Sequence, residues 1–261
     1  MQLIDIGVNL TNKRLCSQLD KVLIQASNVG VDRIIVTGTS LESSQQAINL
    51  CQDYPNQLYC TSGVHPHDAT AWDNDSTNTL EALLKHDCVK AVGETGLDFN
   101  RNFSPPEKQI EVFQHHLDIA SRSQKPVFLH QRDAFDTFYA LLKEFRPRLK
   151  NAVVHCFTDN KEALYAFLDL DCHIGITGWV CDERRGLELQ SLVKDIPSNR
   201  LMLETDSPYL LPRDLPNKPS DKTNLPQYLP HILHTVAKHQ GKAVEQLAQE
   251  VLISTERFFQ I

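Results

Sequence analysis

The sequence predicts an α/β fold, closed as a (β/α)8 TIM-type barrel. Three observations carry that reading. The chain has 261 residues, and eight β/α units need about 250. Short β-rich apolar runs alternate with amphipathic stretches of helical period, as in successive parallel βαβ units. Ligand-type polar residues recur at the end of one run after another, and barrel enzymes collect their sites at that end of the strands.

The elements follow in order. A first strand at Leu3–Val8 leads to a helix at Ser17–Val29, with Gly30 as its C-cap. A second strand at Arg33–Thr37 precedes a helix at Leu41–Asp53. Thr39 and Ser40 stand before that helix, and Glu42 sits in its first turn, where the helix dipole favours an acid. Strand Leu58–Ser62 precedes helix Thr77–His86, and strand Val89–Gly93 precedes helix Pro106–Ser123. Ser104-Pro105-Pro106-Glu107 offers a capping side chain and prolines at the start of the latter. Strand Val127–His130 pairs with helix Ala134–Glu144, strand Ala152–Cys156 with helix Lys161–Leu170, and strand Cys172–Ile176 with helix Gly186–Lys194. The last strand, Leu201–Glu204, is followed by Pro208–Pro230, which holds six of the 13 prolines and is expected to be a long ordered loop over one end of the barrel. Helix Pro226–His239 then completes the eighth unit, and Gly241 separates it from an extra C-terminal helix at Ala243–Phe259. No linker or repeat interrupts the pattern, so residues 1–261 are expected to form a single domain. An open doubly wound sheet would have the same element order, but no G-x-G-x-x-G turn follows the first strand.

Composition narrows the function classes. Charged residues make up 23% and hydrophobic residues 41%, an ordinary balance for a globular domain. No apolar run approaches the about 20 residues of a membrane span, and the N-terminus lacks the pattern of a signal peptide. A cytoplasmic monomer without a membrane partner is the expectation. Seven cysteines at wide spacings, with no C-x-x-C pair, argue against a disulfide framework and a thiolate zinc site. A net charge of -7 argues against coating nucleic acid by bulk attraction. A phosphate-bearing substrate would need local help from a metal or a few arginines.

The chemistry collects just past the strands. Glu94, His130, His155 and Asp206 stand at the ends of strands four, five, six and eight. Each alone has an ordinary explanation, such as a structural hydrogen bond, a helix cap or a turn. Together, imidazole and carboxylate donors suit a hard or borderline divalent ion, whether zinc, manganese, magnesium or iron. His65-Pro66-His67 follows strand three. Its histidines are read first as contacts to substrate phosphate and second as ligands, with Asp68 as a possible partner of His67. Arg101, Arg132 and Arg213 are the cations best placed for phosphate, against ordinary surface ion pairs. Phe99 and Trp179 are candidates to stack on a base, although such aromatics more often pack.

Six blocks resemble one known family. They are Asp5-Ile6-Gly7-Val8-Asn9-Leu10-Thr11, Gly63-Val64-His65-Pro66-His67, Gly93-Glu94-Thr95-Gly96-Leu97-Asp98-Phe99, Pro126-Val127-Phe128-Leu129-His130, His155-Cys156-Phe157-Thr158 and Leu203-Glu204-Thr205-Asp206-Ser207-Pro208-Tyr209-Leu210. In order and over nearly the whole chain, they resemble the TatD family of metal-dependent deoxyribonucleases. Residues 174–189 and 98–103 look most like its TatD branch. The resemblance implies an amidohydrolase-like barrel and divalent metal, with magnesium the expected ion and manganese or zinc the alternatives. It implies 3′-to-5′ exonuclease action on single-stranded DNA and RNA. By position, Glu94, His130 and His155 match metal ligands, and Asp206 matches the aspartate that binds metal or activates water. Asp206 and Glu94 are the catalytic carboxylates in this reading, and His65, His67 and Arg132 bind substrate. One departure stands out. Many members carry Asp-x-His-x-His after strand one, whereas this chain has Gly7 and Asn9 at the histidine positions.

Overall fold

The computed structural model describes residues 1–261. Its strands are β1 Leu3–Val8, β2 Val31–Val36, β3 Leu58–Ser62, β4 Val89–Asp98, β5 Val127–Arg132, β6 Ala152–Val154, β7 His173–Ile176 and β8 Leu201–Leu203. The helices are α1 Lys13–Cys16, α2 Leu19–Ser27, α3 Leu41–Asp53, α4 Ser76–Leu83, α5 Pro106–Ser123, α6 Phe135–Phe145, α7 Lys161–Asp169, α8 Leu187–Leu192, α9 Leu229–Gln240 and α10 Val244–Phe259. The strands form one eight-stranded sheet in sequence order. A parallel bridge from Val8 to Ser207 returns the chain past β8 to β1. This is the (β/α)8 barrel that the alternation predicts. All six residues of β1 are buried, the acid Asp5 among them, which is why apolar residues fall on both faces of the strand rather than alternating with exposed polar ones.

The chain divides into two compact units. One comprises Met1–Val36, Cys156–Leu164 and Ile174–Ile261, and the other comprises Thr37–His155 and Tyr165–His173. In the first, α10 packs on β1 and β8 and buries Phe258 and Phe259. In the second, Phe113 stacks on Phe138 with ring centroids 5.1 Å apart, and Phe167 meets Phe138 edge-on at 5.6 Å. Offset and edge-on pairs of this kind contribute about 1 kcal/mol beyond their buried area. Ser40 caps α3 in a reciprocal box with Ser43, worth about 1 kcal/mol. Gly241 closes α9 in the left-handed region at φ 65°. No helix is long and apolar enough to cross a membrane.

Several boundaries differ from the sequence reading. An unexpected short helix, α1, precedes the expected first one, capped by the Asn12 side chain, and the helix expected at Ser17–Val29 is α2, which starts only at Leu19 because Gln18 leaves helical geometry at φ -139°. β6 and β8 stop early, before the left-handed turns at Cys156 and Asp206. Ser104 does not cap α5, whose cap position is Pro105. Its hydroxyl instead donates to the His67 carbonyl and accepts from the Thr70 N–H. The proline-rich loop is tied down by Asn224, whose backbone N–H donates to the Pro208 carbonyl and whose side chain donates to that of Thr205. The most consequential difference is β4, which continues from the expected end at Gly93 through Asp98.

Candidate metal centre

The extension of β4 builds the centre. The register of β4 against β5 shifts between Val92 and Thr95, so the irregularity falls on Gly93-Glu94. Irregular pairing of this kind re-aims side chains. Beyond it Gly96 pairs with His130 and Asp98 with Arg132. Glu94, Gly96 and Asp98 then share one face of the strand. Gly96 must lack a side chain, since a Cβ there would overlap the His130 carbonyl oxygen. Gly93 sits at φ 135°, with the Phe128 carbonyl oxygen where a Cβ would go.

Three imidazoles meet one oxygen of Glu94. His155 Nε2 lies 2.8 Å from Glu94 Oε1, His130 Nδ1 lies 3.1 Å from it and His65 Nε2 lies 3.3 Å from it. The carboxylate is buried, with only 7% of its side chain exposed. Burial alone would push its pKa up, but the fields of His155 and His65 and hydrogen bonds from His130 and His155 hold it well below the usual carboxylate range. His155 is fixed by stacking on Phe128 at 4.5 Å.

Asp98 forms the other wall. Its Oδ2 bonds His67 Nε2 at 2.7 Å and lies 3.5 Å from His130 Nε2. Its Oδ1 accepts from the Asn100 and Arg101 N–H groups. Burial opposes ionisation, yet the His130 imidazole 3.5 Å away and the His67 hydrogen bond hold Asp98 far below its ordinary value. His130 therefore stands between two carboxylates. Burial pushes its pKa down, and Asp98 and Glu94 outweigh burial and raise it.

The His65-Pro66-His67 segment is pinned from α5. His116 is fully buried, accepts from the Val64 N–H at 3.0 Å and reaches the Val112 carbonyl with its other nitrogen at 2.8 Å. Burial holds His116 down at about 4, so it is neutral near pH 7. His65 Nδ1 accepts from the His67 N–H, which leaves Nε2 turned to Glu94. Burial lowers the pKa of His65.

A second carboxylate group lies around β1 and β8. Asp206 Oδ1 accepts from the Asn9 side chain at 3.2 Å, and the Asp206 N–H donates to the Gly7 carbonyl. A Cβ at Gly7 would overlap the Glu204 carboxylate, so the space of a histidine there is taken by an acid from the end of the neighbouring β8. Glu204 is buried and accepts from the Cys156 N–H at 2.5 Å. Asp5 is buried beside it and accepts from the Thr205 hydroxyl at 2.6 Å and the Thr205 N–H at 2.9 Å. Desolvation pushes Asp5 up to about 8.

The sequence-derived candidates therefore fall into groups. Glu94, His130, His155 and His65 come together; His67 joins through Asp98, not Asp68; Asp206 sits with Asn9. Arg132 is exposed at the end of β5 without an ion-pair partner. Arg213 is engaged by Glu183 at 3.2 Å and Asp182 at 3.6 Å. Trp179 carries Arg185 over its ring at 4.3 Å. Phe103, which the sequence reading passed over, is 66% exposed and meets the His67 ring edge-on at 4.7 Å. Asp98, Glu204, Asp5 and His116 were also missed as site residues. The i, i+4 spacing of Glu94 and Asp98 across Gly96 was the available signal for the first.

The donors fit a divalent ion. One ligand atom from each of His65, Glu94 and His130 lies within 4.8 Å of the others. His130 Nε2 is buried with no hydrogen-bond partner, and 3.5 Å to Asp98 is too long for a good one. A buried imidazole nitrogen left unbonded is costly unless something else ligates it.

A family model described as TatD related DNase matches residues 4–260. A protein of Pectobacterium carotovorum named 3′-5′ ssDNA/RNA exonuclease TatD is 48% identical over 257 residues, covering 98% of this chain and 99% of that one. A protein of the same name from Edwardsiella piscicida is 46% identical over 259 residues, covering 99% of this chain and 100% of that one. Among solved structures, the TatD homologue YjjV of Escherichia coli K12 superposes with a TM-score of 0.91 at 26% identity, covering 99% of this chain and 98% of that one.

Proposed function

The chain belongs to the TatD-related DNase family, and from that premise we propose that residues 1–261 are one catalytic domain, a divalent-metal-dependent exonuclease. It removes nucleotides from the 3′ end of single-stranded DNA and RNA. The observation that carries the reading is the convergence of three imidazoles on Glu94, with a buried His130 nitrogen left for an ion. The relatives' names support the substrate and the polarity.

Glu94, His130 and His155 hold the metal in this proposal, with Asp206 as the strand-eight ligand and His65 in reach of the same carboxylate. When bound, a divalent ion polarises a phosphoryl oxygen and acidifies water. Magnesium prefers oxygen donors, so the imidazole content favours manganese or zinc among the three expected ions. Asp206, steadied by Asn9, orients the attacking water and takes its proton. Glu94 is held ionised and keeps its negative charge toward the ion. Arg132 and His67 hold the phosphate, and the exposed Phe103 offers a face to the terminal base. The protein acts in the cytoplasm as a monomer.

The test uses end-labelled single-stranded and duplex oligonucleotides with metal-stripped protein. Adding manganese, zinc or magnesium restores shortening from the 3′ end, and His155→Ala abolishes it. Folded protein that cleaves nothing with any of the three ions overturns the proposal.

A further inference from the structure

Three cysteines far apart in sequence meet in one place. Cys51 lies on α3, Cys60 on β3, and Cys88 directly before β4. α3 packs on β3, and the Cys60 N–H donates to the Cys88 carbonyl at 2.9 Å. The three sulfurs lie within 4.8 Å of one another. None is in a disulfide; Cys51 and Cys60 are buried, and Cys88 is half-buried. The sequence argument against a thiolate site rested on spacing along the chain, and the fold supplies the proximity that this spacing lacks.

We propose that Cys51, Cys60 and Cys88 form a three-coordinate thiolate site for a soft metal ion, copper(I), separate from the Glu94 centre. Geometry supports it. Metal–sulfur bonds of about 2.3 Å put the sulfurs of a planar trigonal set about 4 Å apart. Sulfurs within 4.8 Å need to close by less than about an ångström. The donor set selects the ion. Thiolates alone favour soft ions, copper(I) among them, whereas structural zinc takes four ligands and the group here offers three.

The surroundings supply charge and access. Three thiolates with copper(I) leave a net negative charge. The Lys125 ammonium, held by the Val89 carbonyl at 2.6 Å, is within the field of Cys60 and Cys88. Hydrogen bonds from Cys51 and then Cys60 pull the Cys88 thiol down, which favours deprotonation at the partly exposed position when a metal binds. A second donor cluster, Cys181, Asp214 and His231, differs in this respect. There His231 and Asp214 bond each other at 2.6 Å and the Cys181 thiol bonds Thr235 at 3.4 Å.

The experiment titrates the reduced full-length protein, without oxygen, with copper(I) held by a chromogenic competing chelator. It also follows the ultraviolet thiolate-to-copper charge-transfer band. The wild type takes up one equivalent and develops the band, and Cys16→Ser and His155→Ala do the same. Cys88→Ser and Cys51→Ser, each shown folded by near-ultraviolet circular dichroism, lose at least about tenfold in affinity, or about 1.4 kcal/mol. Two variants are used so that misfolding of one leaves the other to decide. The proposal is overturned if the wild type fails to take copper from the chelator. It is equally overturned if a folded Cys88→Ser or Cys51→Ser protein binds as tightly as wild type, or if uptake is lost in His155→Ala instead.

Discussion

Asp5→Asn should change how stability depends on pH. Asp5 is fully buried in β1, and desolvation raises its pKa to about 8 against an ordinary 3.8, despite hydrogen bonds from Thr205 and Gly7. The folded state thus binds this proton more tightly than the unfolded chain does. The stabilisation is fully present below about pH 4 and is lost as pH rises through about 8. A difference of about four units corresponds to about 6 kcal/mol in all, of which about 4 kcal/mol falls between about pH 5 and about pH 8.5. Asparagine cannot titrate, and its carbonyl still accepts from the Thr205 hydroxyl. The stability of Asp5→Asn relative to wild type should therefore improve by about 4 kcal/mol from the lower pH to the higher. Urea unfolding followed by the fluorescence of Trp72 and Trp179, with chelator present, measures it. Each protein is its own control for other titrating groups, because only the difference between the two is compared. A gap that stays constant to within about 1 kcal/mol would mean that Asp5 is ionised at neutral pH, and would refute the desolvation argument.

Other perturbations test the centre itself. Asp98→Asn removes the carboxylate beside His67 and His130, and calorimetric titration should find divalent metal bound about 10–100-fold more weakly; unchanged affinity would exclude Asp98 as an orienting group. Arg132→Ala should raise KM for single-stranded oligonucleotides several-fold while leaving kcat near wild type, the signature of lost uniform binding. A fall in kcat alone would assign Arg132 a different part. Gly93→Ala puts a Cβ against the Phe128 carbonyl and should lower stability by about 3 kcal/mol or more, read as a drop in thermal midpoint. A wild-type midpoint would show that the backbone at the head of Glu94 tolerates a side chain.

The strands were legible because a barrel strand buried on both faces is a short apolar run, and the helices because their period is local. Where the reading failed, a side chain had found a distant use. Ser104 looks like a cap beside Pro105 and Pro106, but its hydroxyl holds the His67 carbonyl. β4 is expected to end at Gly93 but runs on to Asp98, and at Gly93 the neighbouring Phe128 carbonyl leaves no room for a Cβ. Gly7 looked like a missing ligand, and Glu204 occupies the space beside it.

The sequence by itself determined the fold class and the family, since element period and block order are written along the chain, and it supplied Glu94, His130 and His155 as the candidate donors of the proposed centre. Only the tertiary structure decided how those donors are used. It set His130 between Glu94 and Asp98, turned His65 to the same carboxylate as His130 and His155, and gathered Cys51, Cys60 and Cys88. The reason is that these relations depend on strand register, on an irregularity at Gly93-Glu94 and on burial. Each of these is a property of segments brought side by side, and none is encoded in any one segment alone.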